Sequence, residues 1–429
     1  MTLVRPAPEC LASESTVNAP LISSTAPARP RAPFPVPESS IFGETLRNLT
    51  EEFAATAAEL DASGEFPHAN LSRLHDLGLS AFTVPTALGG SGATLAQAMK
   101  VISAVARGEP STALILAMQY LQHFRLQQNP HWPEALRTKV ARDAVENGAL
   151  INTLRVEPEL GTPARGGLPA TVARRVPEGW LINGRKLYST GIPGLTWLAV
   201  WARSDDHTPR VGTWLVRHDT PGIRIGKRWN QLGMRATNSH EVIFDNVLVP
   251  ADHDVDAHPL IPTAPQLDPV DSLWMTALLS SIYDSVAHAA RDWLVSWLLE
   301  RKPSNLGAAL ATLPKFQQTI GTIDTLLLNN RVLLGAVAGG TVDATKAAQI
   351  KHLVTTNAIR AVELAVESIG NPALSRDNPL ERHFRDVLCA RIHTPQDDTI
   401  LIGAGRAAFT AFSAPRQKQG RTVSSRSGL

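Results

Sequence analysis

The chain reads as an α+β protein in three parts: an N-terminal α-helical domain, a middle antiparallel β domain and a C-terminal four-helix bundle. Two observations predict that order. Toward both ends apolar residues recur at three and four positions, as in Leu71, Leu74 and Leu77 or Val101, Ile102 and Val105, which is the spacing of an amphipathic helix. Between about residues 152 and 255 that period gives way to short alternating or apolar runs broken by turn residues, the pattern of strands. With 429 residues the chain can bury a large core and divide into two or three domains.

Residues 1–40 hold Pro6, Pro8, Pro20, Pro27, Pro30, Pro33, Pro35 and Pro37 among Ala, Ser and Thr, a composition expected to form a disordered leader rather than a core. It lacks the apolar stretch of a secretory signal, and Glu9 and Glu14 argue against a transit peptide. Residues 41–150 form the helical domain, interrupted by the glycine-rich turn Pro85 to Gly92. That turn is read as an inter-helix loop, with a phosphate cradle as the alternative.

The β domain is placed at 151–257. Trp180-Leu181-Ile182-Asn183-Gly184 reads as a strand running into a tight turn, and Trp197 to Trp201, Thr213 to Val216 and Val242 to Phe244 as further strands. With short connections and no intervening helical period, an antiparallel sandwich or barrel is expected. The bundle is placed at 266–412, from four amphipathic runs at 271–299, 316–338, 344–369 and 380–390. Residues 413–429 are polar and basic and are expected to be a loose tail.

Composition narrows the function classes. A hydrophobic fraction of 43% with 19% charged residues is that of a soluble globular protein, and a net charge of +2 offers no basis for nucleic acid or anionic membrane as a partner. No charge-free apolar run reaches the roughly 18 to 20 residues that span a bilayer. Cys10 and Cys389 are the two cysteines, so there is neither a disulfide framework nor a C-x-x-C metal or redox signature; no metal site is expected, and a reducing, cytoplasmic setting is the default.

Several motifs run in order along the chain: Leu77-Gly78 with Val84-Pro85 and Gly89-Gly90-Ser91-Gly92; Glu157-Pro158-Glu159-Leu160-Gly161-Thr162; Asn183-Gly184-Arg185-Lys186-Leu187-Tyr188-Ser189-Thr190-Gly191; Leu232-Gly233-Met234-Arg235; Phe244-Asp245-Asn246-Val247-Leu248-Val249-Pro250; and Pro379-Leu380-Glu381-Arg382-His383-Phe384-Arg385-Asp386. Together, from about residue 70 to about residue 412, they resemble the acyl-CoA dehydrogenase superfamily. The resemblance implies that fold, a flavin, and an oxidoreductase acting on a small molecule. By the same resemblance Tyr188 would pack against the isoalloxazine ring, Ser189 would lie in that ring-contact motif, Thr190 would bond near N5, the backbone at Arg155 and Val156 would serve the pyrimidine end, and Thr162 would reach the pyrophosphate. For the adenine half, gripped across subunits in the family, the matching positions are Arg301, Gln317, Glu367, Gly370 and Asn371, where Asn371 replaces the family's second glycine. FAD is therefore expected, with FMN as the alternative, in a homo-oligomer, dimer or tetramer.

The resemblance fails at the catalytic base. The family's glutamate base falls on Thr394, and its alternative place on the first bundle helix falls on Met275; neither is a carboxylate. A threonine hydroxyl cannot take an α-proton near neutrality. The family's substrate-anchoring arginine falls on Thr276, so an ordinary acyl-CoA is not the expected substrate. His393, Asp397 and Asp398 are candidate relocated bases, although Asp397 and Asp398 also read as a helix N-terminal charge pair. Arg391-x-His393-Thr394-x-x-Asp397 and Tyr188-Ser189-Thr190-Gly191 are similar to segments of the superfamily's monooxygenases of the dibenzothiophene type, which form a C4a-hydroperoxide on flavin supplied by a reductase. His123 is then a candidate second polar group in the pocket, or a buried core histidine. Three functions stay open: a dehydrogenase-type oxidoreductase passing electrons to a partner such as an electron-transfer flavoprotein, a monooxygenase fed by a flavin reductase, and a catalytically silent flavin-binding scaffold.

Overall fold

The computed structural model describes residues 39–160, 168–259 and 268–413; the proline-rich leader and the basic tail lie almost wholly outside the described residues. Helices come first: α1 (Ser40–Ser63), α2 (His68–Asp76), α3 (Leu95–Gly108), α4 (Pro110–Gln128) and α5 (Glu134–Asn147). Thr94 and Gln97 close a capping box that starts α3, satisfying two backbone donors that a helix start leaves free. α4 is buried almost all round. It therefore shows little amphipathic period, and its first turn is held by the buried Glu109 carboxylate, which accepts from Ser111 N and Thr112 N at 3.0 and 2.6 Å. The glycine-rich turn is a loop: the amides of Gly89, Gly90 and Gly92 donate to Thr86, Pro85 and Val84 carbonyls, so they have no donor left for a phosphate.

One sheet of eight strands follows: β1 (Leu150–Leu154), β2 (Val172–Val176), β3 (Gly179–Lys186), β4 (Leu195–Ser204), β5 (Arg210–Arg217), β6 (Ile223–Ile225), β7 (Val242–Val249) and β8 (His258–Pro259). The order is β6-β7-β3-β2-β4-β5-β8, with β1 also on β4. Most pairings are antiparallel, as the turn spacing predicts. Two are parallel: β1 along Leu195 to Val200 of β4, and β2 at Arg203 and Ser204. A parallel return needs a crossover of a dozen residues or more; here the β2–β3 hairpin supplies it instead of a helix, which is why the absence of a helical period misleads. β3 also runs through Gly184 rather than turning there. The register shifts between Ile182 and Gly184, and a Cβ on Gly184, whose φ is +155°, would meet Thr171 at 2.5 Å, so the glycine marks a bulge against a neighbouring strand end.

Among the described residues the C-terminal region holds five α-helices rather than four: α6 (Pro269–Glu300), α7 (Pro314–Ala338), α8 (Ala347–Ile369), α9 (Leu380–Leu388) and α10 (Asp397–Ser413). Asn330 Nδ2 on α7 donates to Asp284 Oδ1 on α6, and Arg291 on α6 pairs with Asp324 on α7, which sets these two helices antiparallel. α10 buries only Ile400. Two of the motifs meet here across about 150 residues of chain: Asp386 Oδ1 accepts from Met234 N at 2.6 Å, and Arg385 donates to Leu232 O and to both oxygens of Asp61. Gly233 is required at this junction, since a Cβ would lie 2.4 Å from Arg385 O. A single apolar cluster runs from Phe53 and Leu74 through Trp180 and Leu198 to Tyr283 and Val362, joining helices and sheet in one core. Among the described residues, no helix is long and apolar enough to cross a membrane.

Candidate active site

The corner after β3 is built by its neighbours. Leu187 N donates to Val156 O at 2.8 Å, Ser189 N to His240 O at 3.2 Å and Gly191 N to Thr237 O at 2.9 Å, while Asn152 Nδ2 on β1 donates to Thr190 O at 3.1 Å. These bonds hold Tyr188 at φ 55°, a left-handed conformation that a bulky residue adopts at a cost and that clusters at functional sites. Its ring stands 56% exposed, edge-on to Trp229 at 6.1 Å between centroids. Thr190 Oγ1 bonds Ser239 Oγ at 2.9 Å. Ser189 Oγ is buried and has no partner, an orphaned polar group of the kind that a bound molecule satisfies.

β1 is followed by Arg155, Val156 and Glu157. The Arg155 guanidinium lies over the Trp201 ring at 5.4 Å, its Nε is buried without a partner, and burial together with nearby Arg125 lowers its pKa. Glu157 forms a buried ion pair with Lys186, at 2.6 Å. Burial alone would raise the Glu157 pKa, but bonds from Lys186, Thr171 and Ala170 hold it below the usual value. Arg125 is fully engaged by both oxygens of Asp271 at 2.6 and 2.8 Å. Thr162 lies outside the described residues.

The segment around Thr394 is anchored from below. Lys351, fully buried in the first turns of α8, donates to the carbonyls of Ala390, His393 and Pro395, each at 3.1 Å. His393 Nδ1 bonds the hydroxyl of buried Tyr283 on α6 at 2.6 Å, and burial beside Lys351 brings the imidazole pKa down to about 4, so the ring is neutral at pH 7. Asp397 Oδ1 faces His352 Nδ1 at 3.1 Å and Lys351 Nζ at 4.0 Å. Met275 is partly buried in the core, and the Thr276 hydroxyl donates back to Ser272 O at 2.7 Å, which spends the polar group on its own helix.

Other predicted residues fall elsewhere. His123 is buried beside Gln119, with Nε2 3.0 Å from its carboxamide nitrogen; Gln119 in turn receives Ile151 N and donates to Ala149 O. Burial lowers the His123 pKa to about 4, so it sits as a neutral core group tied to the α4–β1 packing. Arg301 caps the end of α6, Gln317 lies in the first turn of α7 with its amide on Ala311 O, and Glu367 pairs with Arg360 near the end of α8. The positive φ of that turn falls on Gly370, at 65°, whereas Asn371 begins a 3-10 turn. Asn371 therefore needs no left-handed tolerance. These groups gather at one end of the bundle and His393 and Thr394 at the other; Tyr283 and Arg301 are separated along α6 by about 27 Å.

Sequence reasoning missed Lys351 and Tyr283. A signal existed for the lysine: Lys351, Thr355, Ala358 and Val362 form one buried stripe of α8, and a lysine inside such a stripe requires partners. Nothing local marks Tyr283, whose partner lies 110 residues away.

The chain thus combines a helical domain, a sheet and a helical bundle with a strained aromatic corner beside orphaned polar atoms. Family profiles for the acyl-CoA dehydrogenase N-terminal, middle and C-terminal domains match residues 37–124, 155–247 and 285–397. YdbM of Bacillus subtilis, provisionally named an acyl-CoA dehydrogenase, is 32% identical over 373 residues, covering 85% of this chain and 96% of its own. L-evernosamine nitrososynthase of a Micromonospora species is 28% identical over 385 residues, covering 83% and 86%. The structure of KijD3 with FMN and a dTDP-linked amino-keto sugar superposes with a TM-score of 0.73 at 27% identity, covering 86% of this chain and 94% of that one. The chain belongs to the acyl-CoA dehydrogenase family.

Proposed function

We propose that this flavoenzyme is a reduced-flavin-dependent oxygenase acting on a small molecule, rather than an acyl-thioester dehydrogenase. One observation carries the reading: neither family base position holds a carboxylate. Thr394 and Met275 occupy both base positions, and Asp397, the nearest substitute in sequence, is turned to His352 and Lys351. A dehydrogenase requires an ionised base facing the substrate; an oxygenase requires a site that excludes water and holds protons in place. Relatives named as a nitrososynthase and as an FMN complex, together with the similarity of Arg391-Ile392-His393-Thr394 to monooxygenase segments, agree with it.

The residues fit a flavin. Tyr188 offers an exposed ring face, Thr190 and Ser189 offer hydroxyls, of which Ser189's is orphaned, and Arg155 offers an unpaired Nε at the pyrimidine side. Reduced flavin, delivered by a reductase, supplies the electron pair for oxygen activation. The Tyr283 hydroxyl, kept protonated by burial well above its usual pKa, bonds His393 Nδ1; with that hydroxyl as the donor, the neutral ring would carry its proton on Nε2 as a donor at a fixed position. Thr394 adds a small neutral hydroxyl in place of a charge.

FMN suffices for one chain. Holding FAD would require Arg301, Gln317 and Gly370 of a second copy, because those of the same chain sit at the far end of the bundle. A homo-oligomer is supported by the apolar surface of the bundle, where Val332, Ile392, Phe409 and Phe412 are 64%, 64%, 77% and 89% exposed, more than a monomer usually leaves uncovered.

Purified protein is to be given reduced flavin and oxygen in a stopped-flow instrument, with release of hydrogen peroxide as the readout and the flavin identified by mass. Release slowed roughly tenfold relative to free flavin is expected. Anaerobic bleaching of bound flavin by any member of an acyl-CoA panel would overturn the proposal and favour the dehydrogenase reading, which the similarity to YdbM supports.

A further inference from the structure

A cavity of about 600 Å³ opens between α1, α3, α6 and α7, on the side of α6 away from the His393 segment. Tyr283 turns to His393, while its neighbour Asp284 turns to Asn330 and this cavity. Its volume is within the range of small-molecule sites. Phe42 and Met99 are buried at its floor, Leu46 and Leu334 form partly buried walls, and Lys100 and Arg331 are exposed at the rim. Neither rim cation forms an ion pair among the described residues; Arg331 faces Asp284 without pairing with it.

We propose that this cavity is a second ligand site, separate from the flavin site, for an amphipathic monocarboxylate with an apolar tail. Apolar floor and walls take the tail. Arg331 presents a planar fork suited to a carboxylate, and Lys100 a point charge beside it. The count of charges selects a single negative charge. Lys100 and Arg331 are cationic, Asp284 supplies one acidic group tied to Asn330 at 2.8 Å, and His288, 3.6 Å from Asp284, is neutral because burial and the neighbouring arginines bring its pKa to about 4. A monoanion completes neutrality, whereas a phosphate dianion would leave the cavity with a net negative charge.

The test is calorimetric titration of the flavin-loaded protein with decanoate and with decylamine. Decanoate is expected to bind and the ammonium is not. In Lys100→Gln/Arg331→Gln, decanoate affinity falls at least tenfold with flavin content unchanged. Gly335→Phe is expected to abolish binding by filling the space, since a Cβ at Gly335 meets nothing within 4 Å. No decanoate binding up to millimolar concentration, equal binding of the amine, or affinity unchanged in both variants would each overturn the site. These results are independent of oxygen or acyl-CoA chemistry.

Discussion

The two ends of the C-terminal bundle are built differently. At the end that carries His393 and Thr394, a buried lysine ties three carbonyls, a tyrosine fixes the imidazole, and Arg385 and Asp386 lock the next helix onto the loop at Leu232 to Met234. At the end that carries Arg301, Gln317 and Gly370, polar side chains are exposed and bonded to their own turns or helix neighbours. One end is complete within a single chain. The other leaves its polar groups exposed to solvent. The difference separates side chains spent inside the fold from side chains left on its surface, and each of the following changes tests it.

The largest effect is expected at Lys351. Lys351→Met leaves three carbonyls without their donor inside the fold and is expected to destabilise by about 3 kcal/mol, read as a lowered urea midpoint at constant slope. A loss below about 1 kcal/mol would mean that water replaces the ammonium and that the anchored end is not built as described. At Asp386 the amide and the deletion are expected to diverge. Burial pushes this carboxyl up to about 7, so Asp386→Asn, which retains an acceptor for Met234 N, is expected to change stability by less than about 1 kcal/mol, whereas Asp386→Ala loses about 2 kcal/mol. Equal losses would show that charge, not hydrogen bonding, joins the two motifs.

pH gives a third contrast. Burial holds His123 and His393 near 4 and His383 near 3, against 6.5 when unfolded. Below 6.5 the unfolded chain takes up these protons and the folded chain does not, so stability falls as pH drops from 6.5 toward 4, by up to about 1.4 kcal/mol per pH unit for each histidine. His393→Gln is expected to flatten the curve of melting temperature against pH over that window; an unchanged curve would show that His393 titrates normally. The smallest effect belongs to the open end. Arg301→Ala and Gln317→Ala are expected to move stability by less than about 0.5 kcal/mol while lowering retention of FAD but not of FMN on gel filtration. A large loss of stability would assign them to the fold.

Much of the architecture was legible because periodicity is a local consequence of which face is buried. α3 and α8 declare themselves by it, and the β3 and β4 runs by their alternation and apolar content; α6, buried at every residue from Thr276 to Ala287, does not show the expected amphipathic face. α10 was harder to place as a fifth helix, since it packs only Ile400 inward and leaves Leu401, Ile402, Phe409 and Phe412 exposed. The parallel pairings of β1 and β2 with β4 were hidden because pairing depends on where a crossover returns, not on composition. The Tyr188 to Gly191 motif is read from the sequence, by resemblance, as a flavin contact, but its strain and the orphaned Ser189 hydroxyl exist only once Thr237, His240 and Asn152 are brought to it.

By itself, then, the sequence determined the helix–sheet–helix order, the absence of a carboxylate at Thr394 and Met275, and the membership of the family, for these depend on residue identity and short-range spacing. Only the tertiary structure decided that Asp397 is turned to Lys351 and His352, that His123 belongs to the α4–β1 packing, that Leu232 to Met234 and Arg385 to Asp386 are two halves of one junction, and that α6 shows one face to His393 and another to a separate cavity. The physical reason is that hydrogen bonds and burial join residues by distance in space, and chain folding makes that distance independent of separation in sequence.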